Sequence, residues 1–452
     1  MKRKLVGIFV CMLLATSAIP AMGLMIERKN CSEPILSNDG WIEEIDGVKI
    51  LHLSGSYYEM GYQHGSLLKD EIHQNLRAYL AFLEQLDVTM DDLIGLWDIM
   101  KDYIPQKYKD ELQGIADGSG LTFNDLAAAL MVEVLNHDIT DCFHAAVWDS
   151  ATKDGNLYHF RSNDWPLNII DPQSGKYFQE NQVIIVRVPD EGWASVYPGF
   201  AGTITSMGGI NDQGVCTSSS LSWCMADISN HGIPAMLRQR IALDKASTSE
   251  EAIQIINNNR TRAWNFIISD ENHNCYVIEQ SANNSYIGTW DDPEESNSPF
   301  YEIENVVRRG NFYVEKYLAS LQRKVYKPRS AIHWFYYSKI TTLFGFYDSY
   351  KYEYYPEVMH YKVLSEEIQD NLGDLDLNVS MSVLRNTYCG KTNMKWNFFQ
   401  TFLGWYRSVL HQWVICPETG DIAISFADAD DSAHKNPVHY FNFDDLVNST
   451  PP

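Results

Sequence analysis

The hydrophobic period of this chain changes at Asp141-Cys142, and that change restricts the available folds more than any other feature. Before it, Leu68, Ile72, Leu76, Leu80 and Leu83 recur three and four apart, which predicts an amphipathic helix over 66–86. More helix is expected at Leu93–Met100, at Lys107–Ala116 ahead of the breaker Gly118-Ser119-Gly120, and at Leu126–Val134 behind the capping pattern Thr122-Phe123-Asn124-Asp125. After it, Cys142–Asp149 and Leu157–Asn163 read as strands joined by Thr152-Lys153-Asp154-Gly155-Asn156, whose Asp-Gly is a strong hairpin signal. Further strands are expected at Val183–Val188, Thr203–Met207, Val215–Ser219, Trp264–Ser269, Tyr276–Gln280, Trp413–Cys416 and Asp421–Phe426. Helix lies between them at Ala235–Leu243 and behind Thr248-Ser249-Glu250-Glu251. Antiparallel hairpins with helices grouped between them imply an α+β layered fold, not a wound βαβ sheet. The tyrosine-dense stretch 334–361 reads as an insertion packing its rings on the domain, with an apolar acyl pocket as the alternative.

Met1-Lys2-Arg3-Lys4 followed by an apolar run to about Ile19 has the form of a signal peptide, and Ala21-Met22-Gly23 offers the small residues of a cleavage site. Residues 1–23 are therefore expected to be removed, leaving a mainly helical segment, 24–141, ahead of the strand-rich remainder, 142–452, which the resemblance described below makes the catalytic chain. The mature protein would be secreted or extracytoplasmic, with no membrane span. A formal charge of −24 argues against nucleic acid as a partner, because such a field repels phosphate. Once Cys11 leaves with the signal, seven cysteines remain: Cys31, Cys142, Cys216, Cys224, Cys275, Cys389 and Cys416. An odd number leaves at least one thiol without an intramolecular partner. There is no CxxC pair and no HExxH, so a metal site has little support and no cofactor is implied.

Five pieces in order carry a resemblance: Gly55-Ser56-Tyr57-Tyr58-Glu59-Met60-Gly61-Tyr62-Gln63-His64-Gly65, the Asp141-Cys142 junction, the hairpin ending in Arg161–Asp164, Gly208-Gly209-Ile210-Asn211-Asp212-Gln213-Gly214-Val215, and Trp264-Asn265-Phe266-Ile267-Ile268-Ser269-Asp270. The chain resembles the acyl-coenzyme A:6-aminopenicillanic acid acyltransferase family, the autoproteolytic C45-type peptidases, from about residue 50 to 280. The resemblance implies an N-terminal-nucleophile hydrolase fold, a four-layer αββα sandwich of antiparallel sheets. It also implies self-cleavage between Asp141 and Cys142, with the cut N-terminal segment retained as a second chain. The reaction implied is hydrolysis or transfer of an acyl group at an amide bond of a small-molecule substrate, through a Cys142 thioester.

Carried over by position, Asp164 would orient the new α-amine, Arg161 would favour the thiolate, and Asn265 would donate an N–H to the oxyanion. The plainer alternatives are a cross-strand ion pair for Arg161 and Asp164 and a strand-start polar residue for Asn265. His144, two residues from Cys142, suggests a Cys-His pair, and a packed structural histidine is the competing reading. His64 is expected to seat the first helix. The resemblance also calls for a late arginine, for which Arg308, Arg309, Arg323 and Arg329 compete. Phe143 stands where several relatives carry a small hydroxyl residue. Two other functions remain open on the sequence: a phospholipase-B-like lipid hydrolase, and a secreted binding protein whose Cys142 is merely buried.

Overall fold

The computed structural model of the chain describes residues 35–37, 40–134, 141–222, 224, 226–296, 300–322, 355–389 and 408–451. Asp46-Gly47 takes positive φ at both positions, 53° and 83°, the backbone of a two-residue hairpin turn that Asp and Gly adopt at least cost. The turn joins β2 (Gly40–Ile45) to β3 (Val48–Gly55), with β1 (Ile35–Ser37) at the edge. These strands were not expected from the sequence, and the helices expected in this segment begin only after Gly55.

They are α1 (Tyr57–Leu67), α2 (Lys69–Glu84), α3 (Met90–Met100), α4 (Gln106–Ser119) and α5 (Phe123–Met131). The single helix expected over 66–86 is two, parted at Leu68, whose φ of −117° and ψ of 30° leave the helical region. Ser56 and Glu59 form a capping box on α1, and Thr122 and Asp125 form the one expected on α5. Gly61 and Gly65 of α1 face Gly114 and Gly118 of α4, where an added Cβ would run into the main chain of the other helix. The glycine-spaced motif is therefore a close helix crossing. His64 does more than seat α1: its Nε2 accepts the Gly202 N–H at 2.9 Å, and burial lowers its pKa to about 3, keeping it neutral.

From Asp141 the chain runs through β4 (Asp141–Val147), β5 (Tyr158–Trp165), β6 (Gln182–Pro189), β7 (Ser195–Phe200), β8 (Gly208–Asn211) and β9 (Cys216–Leu221). Next come α6 (Ala235–Lys245), α7 (Ser249–Ile256), β10 (Trp264–Ser269), β11 (Cys275–Gln280), β12 (Ser285–Gly288), β13 (Val306–Arg309) and α8 (Lys316–Leu321). Then follow α9 (Tyr355–Asp370), α10 (Leu377–Cys389), β14 (Ser408–Cys416), β15 (Asp421–Phe426), β16 (His439–Asn442) and α11 (Phe443–Val447). Thr203–Met207, expected as a strand, is not one. Gly202 turns there with φ of 89°, the Thr203 N–H bonds back to the Phe200 carbonyl, and the next strand starts only at Gly208.

One sheet has the order β1-β2-β3-β6-β7-β8-β9-β10-β11-β12 and the other β13-β4-β5-β14-β15-β16. Every pair is antiparallel except β3–β6. Leu53, Ile185 and Tyr197 pack under Met60, Leu112 and Leu237 on the outer face of the longer sheet. Ile50, Ile184 and Val196 meet Trp413, Ile415 and Ile424 between the sheets, and Phe143, Phe160 and Val414 meet Leu364 and Leu384 on the far side. The result is the α+β fold expected, with four layers, αββα. Most of the tyrosine-dense stretch, and Arg323 and Arg329 with it, lies outside the described residues. Tyr361, at its end, is buried edge-on against Phe300 and Phe312. Among the described residues no helix is long and apolar enough to cross a membrane.

His273, in the turn between β10 and β11, closes one end of the sandwich by bonding Asp149 at 2.7 Å through Nδ1 and Glu418 at 2.7 Å through Nε2. Partial burial opposes its charge, but the two carboxylates outweigh burial and raise its pKa. A raised folded pKa gives stability that is full below the ordinary value of about 6.5 and lost as pH rises through the folded value. The melting-temperature gap between wild type and His273→Gln is therefore expected to be widest near pH 5.5 and to close at alkaline pH. A gap independent of pH would show that the clasp acts by packing alone.

Candidate active site

In the register of β4 against β5, Cys142 lies opposite Asn163 and His144 opposite Arg161. Directly opposed residues share a face, so these four side chains point into the gap between the sheets, while Ser162 and Asp164 point to the other side. Little of either is exposed: Cys142 is 4% exposed and Arg161 1%. Arg161 Nε donates to the Ser219 carbonyl at 2.7 Å, which holds its Nη2 at 3.4 Å from Cys142 Sγ. Asn163 Oδ1 is 3.5 Å from the same sulfur. Burial draws the Arg161 pKa below its ordinary value and the charges of Cys142 and Asp164 pull it back up. A guanidinium does not lose its proton in a protein, so Arg161 places a fixed positive charge beside the sulfur and favours the thiolate.

The nitrogen of the same residue is also held. β13 pairs with β4 as far as Arg309 with His144, and two residues further on Asn311 reaches Cys142 with its side chain. The Cys142 N–H donates to Asn311 Oδ1. Asn311 Nδ2 donates to the Leu221 carbonyl at 2.6 Å, so the amide is fixed with its oxygen toward Cys142. Asn311 was not among the residues singled out from sequence. The strand before it is only four residues long, and its place beside Cys142 depends on pairing between segments far apart in the chain.

Asn265 is in a different use from the one expected. Its Nδ2 donates to the carbonyls of Gly310 and Phe312, each at 2.8 Å, which leaves no side-chain N–H for an oxyanion. It fixes the turn that presents Asn311. Asp164 is buried on the opposite face from Sγ and accepts from Ser162 Oγ at 2.7 Å. The Asp141 backbone pairs with Asp164. His144 does not contact the thiol as a Cys-His base would. Its Nδ1 is 2.6 Å from Ser218 Oγ and its Nε2 3.2 Å from Ser220 Oγ, and burial holds its pKa well below the ordinary range.

Of the late arginines, Arg309 is enclosed by Glu279 at 2.7 Å and Glu295 at 2.6 Å, and Arg308 bonds Ser365 Oγ and the Tyr301 carbonyl. Both are committed away from Cys142. Cys142, Cys216, Cys224, Cys275 and Cys416 are all unbridged buried thiols.

Cys142, Arg161 and Asn163 form the polar end of a cavity of 1610 Å³, its open mouth included. The rest of the lining is mostly apolar: Leu76, Tyr79, Leu80 and Phe82 from α2, Leu126 and Leu130 from α5, and Trp165, Phe178, Met207 and Trp264 from the sheet region. The helices before Cys142 and the strands after it thus build opposite walls of one site. The arrangement can polarise a thiol and receive a hydrophobic group beside it.

Residues 161–329 match the family model described as acyl-coenzyme A:6-aminopenicillanic acid acyl-transferase, a stretch that holds Arg161, Asn163, Asp164, Asn265 and Asn311 and begins after Cys142. Curated relatives include protein dcd1B of Dictyostelium discoideum, 28% identical over 269 residues, or 53% of this chain and 51% of the relative. An uncharacterized protein of Archaeoglobus fulgidus is 24% identical over 305 residues, 60% of this chain and 48% of its own. The chain spans about half the length of these relatives. Among solved structures, the Caenorhabditis elegans ortholog of N-acylethanolamine-hydrolyzing acid amidase is 12% identical with a TM-score of 0.37, covering 67% of this chain and 99% of its own. Penicillin V acylase from Agrobacterium tumefaciens is also 12% identical with a TM-score of 0.37, covering 68% and 88%. Through residues 161–329 the chain is similar to the acyl-coenzyme A:6-aminopenicillanic acid acyl-transferase family.

Proposed function

We propose that the protein is an exported N-terminal-nucleophile cysteine hydrolase or acyltransferase that cuts its own chain before Cys142 and acts on amides with an apolar acyl group. One observation carries the proposal: a buried thiol with Arg161 on its sulfur and Asn311 on its own backbone nitrogen, at the polar end of an apolar cavity. In the precursor the Cys142 thiol attacks the carbonyl carbon of residue 141. The C–N bond breaks, the nitrogen leaves as an amine, and water hydrolyses the resulting thioester to free the carboxylate of Asp141.

An α-amine has an ordinary pKa of about 7.7–8.0, so at neutral pH it accepts the thiol proton. The thiolate adds to the substrate carbonyl, the C–N bond breaks, and the leaving amine takes the proton back from the ammonium. Water or an acceptor amine then releases the acyl group from sulfur. Removal of residues 1–23 on export belongs to the same proposal. The apolar walls support a hydrophobic acyl chain, and because one wall comes from α2 and α5 the cut N-terminal segment is retained.

N-terminal sequencing and mass spectrometry of the purified protein are expected to find two co-purifying polypeptides, near 24–141 and 142–452. The pair is expected to hydrolyse a decanoyl anilide faster than an acetyl anilide. An active protein with the 141–142 bond intact would falsify the proposal. Faster cleavage of a lipid ester than of the matching amide would favour the lipid-hydrolase reading.

A further inference from the structure

The buried histidines of the inter-sheet gap have no part in the chemistry above, yet their hydrogen bonds lead to it. Ser220 Oγ donates to the Gly310 carbonyl at 2.7 Å, a contact that fixes its proton. His144 Nε2, 3.2 Å from that oxygen, must then be the donor to it. Burial keeps His144 neutral, so its Nδ1 carries no proton and accepts from Ser218 Oγ at 2.6 Å. With that proton committed, Ser218 Oγ accepts from His159 Nε2 at 2.6 Å. His159, also neutral through burial, accepts at Nδ1 from Ser269 Oγ at 2.7 Å. Each donor is thus used once and every bond points the same way, from Ser269 toward Gly310.

We infer that His144 and Ser220 are positioning residues: they end a one-way hydrogen-bond chain that holds the Gly310 carbonyl, and through it the Asn311 amide, against the Cys142 nitrogen. The inference rests on the reading of that nitrogen as the base once the chain is cut. Gly310 sits between β13 and Asn311, and its carbonyl takes two donors, Ser220 Oγ and Asn265 Nδ2 at 2.8 Å. Asn311 Oδ1 is an acceptor, so it bonds an ammonium more strongly than an amine and raises the pKa of the base it holds. A loosened turn weakens that bond and lets the base lose its proton at lower pH.

The test uses the two-chain protein and a decanoyl 4-nitroanilide. Ser220→Ala is expected to lower kcat about tenfold with KM little changed, and to move the acid limb of kcat/KM down by about half a pH unit. Ser220→Thr, which keeps the hydroxyl, is expected to restore the limb. Ser218→Ala, which leaves the Ser220–Gly310 bond in place, is expected to give a smaller shift in the same direction. A role in stability alone would lower the melting temperature and leave the limb where it is. Processed variants whose pH profiles superimpose on wild type would overturn the inference while leaving the nucleophile assignment standing. A wild-type chain still joined at residue 142 would instead remove the reading beneath it.

Discussion

Cys142→Ala is expected to yield a single uncut polypeptide whose turnover of the decanoyl anilide is lower by about 10⁵–10⁶-fold, the scale seen when a nucleophile is removed from an otherwise intact site. On the proposed mechanism both effects follow from one atom: Sγ would carry the attack on the residue 141 carbonyl and the attack on substrate. The sulfur lies buried, 3.4 Å from Arg161, and no other side chain at the site offers a comparable nucleophile. Cys142→Ser separates the two roles. A hydroxyl keeps the geometry but is not converted to an anion by the neighbouring guanidinium at neutral pH, so processing slows and turnover stays low. Gel mobility reports the cut and single-turnover acylation reports the chemistry. Full activity in the serine variant would contradict thiolate attack.

Arg161→Met is expected to lower kcat by about 10²–10³-fold, comparable with losing one preorganised charge or donor in a buried catalytic site. It should also slow native-state alkylation of the thiol at pH 7, because the cation that favours the thiolate is gone. Arg161→Lys is expected to recover only part of this. A lysine keeps the charge but has no planar fork to bond the Ser219 carbonyl through one nitrogen and reach Sγ through another. Iodoacetamide kinetics followed by mass spectrometry give the test. An alkylation rate equal to wild type in Arg161→Met would show that the guanidinium is a structural tie and nothing more.

The parts of the fold read from sequence were those where local signals agreed. The β4–β5 hairpin announces itself through Asp154-Gly155, and β10–β11 and β14–β15 through apolar runs flanking short polar turns. The β2–β3 hairpin carries the same Asp-Gly signal at 46–47, but its strands are buried in blocks and do not alternate along their length. β8 and β13 are four residues each, too short for a period to be read, and β8 opens on two glycines that pack no side chain. Cys142, Arg161 and Asn163 sit on one legible hairpin, and so their common face follows from strand alternation. Asn311 does not, because its position depends on an edge strand joining from far along the chain. Asn265 shows the opposite failure. Its type and strand were legible, but which acceptors its amide meets was set by a turn that the sequence did not reveal.

The crossing of α1 and α4 has a consequence for what the cavity will admit. With four glycines at the contact the two helices meet main chain to main chain, so no flexible side chain at the crossing gives way when something presses on it. α2 leads directly from α1 and α5 follows directly on α4, so the residues these helices turn toward Cys142 hang from a rigid joint. A guest seated against this wall is expected to meet a support that yields little, so that discrimination by bulk on that side is abrupt instead of graded.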